Sequence, residues 1–186
     1  MPPPDQRTLR EAALRHLARY ATTATGLTRV LDRRIARWAG SAEAGTDRAA
    51  TEEAAAEARH AARLVVARLV EAGAVDDAGF AAARAGRLVR SGRSRRAVAA
   101  HLAARGVDAE TARAALAETA DELASALVLA RRRRIGPFRA GETPDAEGRK
   151  RELAVLARAG FPQEIAIRAL ATPVEDAEEA VARLLR

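Results

Sequence analysis

Displacing the chain by 54 residues, so that Leu102 falls on Leu156, lays LAARGVDAETARAAL (102–116) over LARAGFPQEIAIRAL (156–170). Gly106 then meets Gly160, Val107 meets Phe161, Glu110 meets Glu164 and Leu116 meets Leu170. Each stretch reads as helix, helix, glycine, helix, and the first third of the chain has the same order with an enlarged loop before its third helix. The period is too long for the helical-pair repeat of about 34 residues or the ankyrin repeat of about 33. We therefore expect three tandem three-helix units. Units that stack only on their neighbours would build an elongated, curved array.

Composition agrees with helices and with nothing else. About fifty of the 186 residues are alanine, 31 of the 32 basic residues are arginine, and no period-two alternation persists anywhere. Alanine and arginine are strong helix formers, so the fold class is all-α. Residues 1–8 (MPPPDQRT) read as a disordered, polyproline-like tail. The first unit then covers 9–75, with Leu14, Leu17, Val30, Leu31, Ile35 and Trp38 as candidate core and a small, polar loop at 40–50. Thr51 is placed as the cap of its third helix, with Ala58, Ala62, Val65 and Leu69 inward, and Gly73 as the stop.

The second unit covers 76–120 and the third 121–171, with a helical tail at 172–186. Ser94 and Asp108 are placed as N-caps in the second unit, Thr143 with Pro144 at the first helical position in the third, and Thr172 with Glu175 as a capping box for the tail. Gly106 and Gly160, at equivalent places after a helix, are expected to be left-handed.

Charge follows the same beat. The net charge is +7 and the isoelectric point about 11.2, which favours polyanionic partners. In each unit the first two helices are basic and the third acidic. Residues 82–107 hold seven arginines and no acid. Arg84, Arg87 and Arg90 fan over roughly a third of a helix circumference. Arg93 follows in the break, and Arg95 and Arg96 stand in the first turn of the next helix, where cations oppose the helix dipole. These six residues form a candidate anion-binding surface, with Arg131, Arg132, Arg133, Arg134 and Lys150 as the third unit's contribution. A solvated arginine face is the competing reading, and cations at a helix C-terminus explain part of the 131–134 run locally.

Nothing in the sequence points to catalysis. His16, His60 and His101 lie on separate helices without metal-ligand spacing, and no serine sits in a nucleophile elbow or a phosphate loop. The acid pairs Asp76-Asp77 and Glu52-Glu53 are read as helix-start residues. There are no cysteines, so disulfides and thiolate metal sites are excluded, in keeping with a reducing cytoplasm. No stretch approaches the length of a membrane span. The function is expected to lie in binding, not in an enzyme activity, with no cofactor.

The run AVDDAGFA followed by RSGRSRRAVAAHLAARGVDAE resembles the signature of the RecX family of regulators of the RecA recombinase. That family begins a helix with glycine, leucine and two aspartates, with an aromatic shortly after. It continues with a G-R-(S/G) turn and a helix closing on (K/R)-G-(I/V/F). The matching positions are Asp76, Asp77, Phe80, Gly92, Arg93, Val98, Leu102, Arg105, Gly106 and Val107. The three-unit layout is also the family's, so the resemblance runs from about Leu9 to Leu170. Three features depart from it: Gly79 before the aromatic, where an arginine is usual, the long first-unit loop, and the helical tail.

The resemblance implies a cytoplasmic monomer that binds the RecA–DNA filament and limits its extension or promotes its disassembly. It would thereby damp strand exchange, ATP hydrolysis and the SOS response to DNA damage. Direct contact with single- or double-stranded DNA is compatible with the basic blocks. A non-specific DNA-binding repeat protein without recombinase contact is the alternative.

Overall fold

A computed structural model describes residues 2–41, 47–119 and 121–186. Among them all regular structure is helical: ten α-helices and one 3₁₀ turn, with no strand. The helices are α1 (Gln6–Leu17), α2 (Ala24–Gly40), α3 (Arg48–Glu71), α4 (Asp77–Arg90), α5 (Arg95–Ala104), α6 (Ala109–Ala117), α7 (Glu122–Arg133), α8 (Ala146–Arg158), α9 (Gln163–Ala171) and α10 (Val174–Leu185). The 3₁₀ turn, Gly136–Phe138, lies between α7 and α8. The all-α expectation holds.

Side-chain caps decide where the helices start, and several lie nearer the N-terminus than the sequence suggests. Asp5 accepts the amide of Thr8 at 2.8 Å, so α1 begins at Gln6 instead of Leu9. Thr23 accepts the amide of Gly26 at 2.9 Å, which starts α2 at Ala24. Asp47, not Thr51, caps α3; the Thr51 hydroxyl is spent on the Asp47 carbonyl at 3.0 Å. With α2 running to Gly40 and α3 starting at Arg48, the expected 40–50 loop shrinks at both ends, and 42–46 fall outside the described residues.

In the last third, Asp145 and not Thr143 caps α8, accepting the amide of Gly148 at 2.7 Å. Pro144 consequently precedes the cap instead of occupying the first turn. The capping box at Thr172 is absent as well: its hydroxyl bonds back to the Arg168 carbonyl of α9 at 2.7 Å. Gly73, Gly106 and Gly160 take φ of +68°, +82° and +88°, the left-handed conformation expected of them.

The chain forms two compact units, one of residues 1–80 with 105–107, the other of 81–104 with 108–186. The first is built on α1, α2 and α3, whose buried residues are Leu9, Ala13, Leu27, Leu31, Ile35 and a stripe of α3 containing Ala55, Ala58, Ala62, Val65, Val66 and Leu69. Trp38 is half-buried against this core. Leu14, expected to face inward, is 41% exposed. It lies about 140° round the helix from Leu9, whereas Ala13 and Leu17 lie within about 80° of it. In the second unit α7 is central, with α9 and α10 packed on it. Every residue from Ser125 to Ala130 is buried, and Leu156, Phe161, Ala166, Ala169, Ala177 and Val181 close around it.

One fastening is built twice, once within each unit. In the first, the Thr23 hydroxyl, which caps α2, donates to the Arg105 carbonyl at 2.6 Å, and Asp77 accepts the Ala24 amide at 2.8 Å. In the second, the Ser94 hydroxyl, which caps α5, donates to the Ala159 carbonyl at 2.8 Å, and Glu122 accepts the Arg95 amide at 2.9 Å. Each carbonyl acceptor immediately precedes a left-handed glycine, Gly106 or Gly160. Those glycines are packed face-on: a Cβ on Gly106 would overlap Thr25, and one on Gly160 would lie 2.8 Å from Ser94 Oγ.

Two pairs of consecutive acids, Asp76-Asp77 at the start of α4 and Asp121-Glu122 at the start of α7, therefore divide their work. Asp76 caps its own helix through the Gly79 amide at 2.9 Å, and Asp121 caps α7 through the Leu123 amide at 3.2 Å. The second acid of each pair, Asp77 or Glu122, caps an earlier helix. Two caps on one helix start satisfy two of its orphan amides with a hydroxyl and a carboxylate.

Candidate anion-binding site

The turn Ser91–Ser94, between α4 and α5, is the best-anchored loop of the second unit. Ser125, wholly buried on α7, shares its hydroxyl proton between the carbonyls of Arg93 at 2.7 Å and Val89 at 3.0 Å. Arg132 donates from Nη1 to the Ser91 carbonyl at 2.8 Å. Gly92, left-handed at +81°, is buried so closely on α7 that a Cβ there would stand 3.0 Å from the Leu129 amide nitrogen. With Ser94 fixed on Ala159 and the Arg95 amide on Glu122, this short turn is tied to α7 and α8 at every residue but Gly92, which is held by packing.

Those bonds change the meaning of Arg95 and Arg96. The opposing helix dipole suggested an anion at the start of α5, yet Glu122 already supplies the negative charge and Ser94 accepts the Ala97 amide at 3.2 Å. An external anion would meet arginine side chains there, with the Arg95 and Ala97 amides already taken. Arg96 is exposed; Arg95 is half-buried, with its Nε enclosed and unpartnered.

The arginines of the fan, Arg84, Arg87 and Arg90, have three different surroundings. Arg84 is half-buried and donates from Nε to His101 Nε2 at 3.0 Å, which assigns that ring nitrogen as an acceptor. Arg90 lies back over Gly86 and lines a cavity of about 270 Å³ with Glu118 and Arg183, the latter paired to Glu179 at 2.6 Å. Arg87 is exposed.

What the structure does bring together is Arg93, Arg132 and Arg133. They line a cavity of about 400 Å³ with a fourth arginine, Arg158 at the end of α8, over a floor of Gly92, Leu129, Val155 and Ala159. Arg131 and Arg134 are exposed outside it, as is Lys150 on α8. Arg134 stands apart in backbone: its φ of +54° is the one positive value on a non-glycine among the described residues.

Similarity to known proteins agrees with these elements. The family model described as "RecX, second three-helix domain" matches residues 76–116, which are α4, α5 and α6 with their connecting turns. A protein of Myxococcus xanthus named "Regulatory protein RecX" is 39% identical over 156 residues, covering 82% of this chain and 79% of its own. The chain belongs to the RecX family. A second relative of the same name, from Agrobacterium fabrum, is 42% identical over 106 residues, 57% of this chain and 56% of its own length.

Seen as RecX residues, the signature positions carry architecture as much as charge. Asp76 and Asp77 are caps, Gly92 allows the close approach to α7, Val98 and Leu102 are wholly buried, and Gly106 faces Thr25. Phe80 is half-buried and Val107 buried. The RecX signature thus specifies part of the first fastening, Asp77, Arg105 and Gly106, and the turn that positions Arg93. Sequence reading missed Ser125, hidden in an apolar run, Glu122, whose partner is 27 residues away, and Arg158, which looks like an ordinary C-terminal cation.

The histidines stay outside the site. His16 lies against Tyr20 with ring centroids 5.2 Å apart, and His60 is exposed. Among the described residues no cluster of His, Cys, Asp and Glu could hold a metal, and no helix is long and apolar enough to cross a membrane.

Proposed function

We propose that this chain is a regulatory protein that binds the RecA–DNA filament and limits its activity, acting as a cytoplasmic monomer without a cofactor. The observation that carries the reading is the alignment with the Myxococcus xanthus regulatory protein across four-fifths of both chains. The basic turn and helix ends give it a physical basis, since exposed arginines uncompensated by acids suit a nucleoprotein filament. We further propose three tandem three-helix units, α1–α3, α4–α6 and α7–α9, with α10 as a tail. The twice-built fastening supports this, as does the matched domain's description as a second one.

Titrating the protein into recombinase, single-stranded DNA and ATP while following ATP hydrolysis tests the reading. Suppression well below one protein per recombinase monomer is the expected result. Hydrolysis that stays constant while the protein binds bare DNA would favour a non-specific DNA-binding protein, the reading to which the arginine-lined cavity also lends itself. The arginine surface is tested by changing Arg87, Arg93 and Arg96 together to glutamate, with the fold retained because all three are exposed. Suppression as strong as the parent's would remove this face from the contact.

A further inference from the structure

The cavity of Arg93, Arg132, Arg133 and Arg158 contains no acid. Other cavities differ: Glu118 lines the one at Arg90, and Asp5 lines the one beside Trp38. The four arginines come from three places, the turn after α4 and the C-terminal ends of α7 and α8.

A local explanation is available, because a helix C-terminus favours cations by about 0.3–1 kcal/mol each. That explanation is largely used up here. The carbonyls that would attract guanidinium groups already have donors: Ser125 serves Arg93 and Val89, Ser94 serves Ala159, and Arg132 serves Ser91. Arg93, Arg133 and Arg158 make no side-chain hydrogen bond or ion pair among the described residues, while Arg139, Arg151 and Arg183 each have a carboxylate partner. Three unneutralised guanidiniums, with a fourth pinned by one nitrogen, repel one another across a cavity whose volume is within the range of small-ligand sites. Such a group awaits an anion, and the planar fork of arginine matches phosphate oxygens.

We propose that this cavity seats a backbone phosphate of nucleic acid, with Arg158 closing the side opposite Arg93. The proposal rests on reading the chain as a binder of the recombinase–DNA filament and locates where on it the strand's phosphate lies. Gly92 is the positioning residue: only without a Cβ can the turn lie against α7 and bring Arg93 to Arg132 and Arg133.

The test uses the full chain and a fluorescein-labelled oligothymidylate, with anisotropy followed over a series of salt concentrations. Each phosphate contact on a single strand contributes about 0.7 to the log–log salt slope. Arg158→Ala should therefore lower the slope by about 0.7 and weaken binding several-fold. Arg158→Glu should weaken it further, and Arg168→Ala, an exposed arginine on α9 outside the cavity, should leave both unchanged. Circular dichroism confirms that each variant is folded. A slope unchanged in Arg158→Ala and Arg158→Glu overturns the proposal; filament suppression that persists in the parent leaves the family reading standing.

Two further arms separate other sources of anionic charge. Binding of ATP that Arg158→Ala abolishes, with strand binding unaffected, would assign the cavity to free nucleotide phosphate and overturn the nucleic-acid seat. The same result with poly-glutamate would assign it to an acidic protein surface, with the same consequence.

Discussion

Gly106→Ala tests the fastening that holds the start of α2. Two effects add. A left-handed backbone at φ +82° costs an L-residue about 1–2 kcal/mol. The new methyl would also overlap Thr25 Cβ and lie 2.5 Å from its Cγ2 and Oγ1. Thr25 sits in the first turn of α2, so relief requires moving backbone, and overpacking of this kind costs about 1–3 kcal/mol. The expected loss is about 2–5 kcal/mol, or about 1–2.5 M in the urea midpoint for a slope near 2 kcal/mol/M.

Gly73→Ala supplies the internal standard. Its φ of +68° carries the same conformational penalty, but a Cβ there would meet nothing within 4 Å. It should lose only about 1–2 kcal/mol. Gly160→Ala should fall between the two, because its methyl would stand 2.8 Å from a single hydroxyl, Ser94 Oγ. Urea unfolding followed by circular dichroism ranks the three. A Gly106→Ala midpoint no lower than that of Gly73→Ala would refute the packed fastening.

Ser125→Ala leaves the Arg93 carbonyl without its donor, while the Val89 carbonyl keeps the Gly92 amide at 2.9 Å, and should cost about 1–3 kcal/mol, measured by the same unfolding experiment. Arg134→Gly removes the one left-handed non-glycine among the described residues and should raise stability by about 1 kcal/mol; a lower melting midpoint would show that the side chain, not the backbone, matters there. Asp108, which caps α6, has its carboxyl held below its ordinary value of 3.8, chiefly by the Thr111 hydroxyl and then by the Thr111 amide. Its contribution to stability is therefore present above pH 3.8 and is lost as pH falls through the lower folded value. Thr111→Val should move the carboxyl resonance's titration upward, towards 3.8, in an NMR pH series.

The helices were legible because alanine, arginine and punctuating glycines agree along the whole chain. Their starts were less so, since polar residues compete for the cap within a single turn. Asp47 and Thr51 are both acceptable by sequence, as are Thr143 and Asp145, and only the packed helix decides between them. The phase of α1 failed on Leu14 because twelve residues with few large apolar side chains give a weak stripe. The site was half legible. Seven arginines without an acid are plain in the sequence, but Arg158 joins the turn only because Ser94 draws the end of α8 onto it. His101 shows the same limit: its role as acceptor for Arg84 depends on two helices lying side by side.

Charge counted along the sequence and charge available in the fold are different quantities here. Glu122 lies 27 residues beyond Arg95 in sequence, outside the basic block, yet its carboxylate sits at the start of α5, among the arginines of that block. Its carboxylate cancels the helix-start argument for Arg95 and Arg96. Ser125, Ser94 and Arg132 meanwhile satisfy the carbonyls that would otherwise occupy guanidinium groups. The same bonds that hold the Ser91–Ser94 turn therefore bring a carboxylate to the α5 N-terminus and leave Arg93, Arg133 and Arg158 without one. A neutral residue at position 122 would return an orphan amide to α5 and allow an anion to bind on backbone N–H groups. With Glu122 on the α5 start, the arginine side chains are what this basic block offers an anion, and the cavity behind Gly92 is where four of them meet.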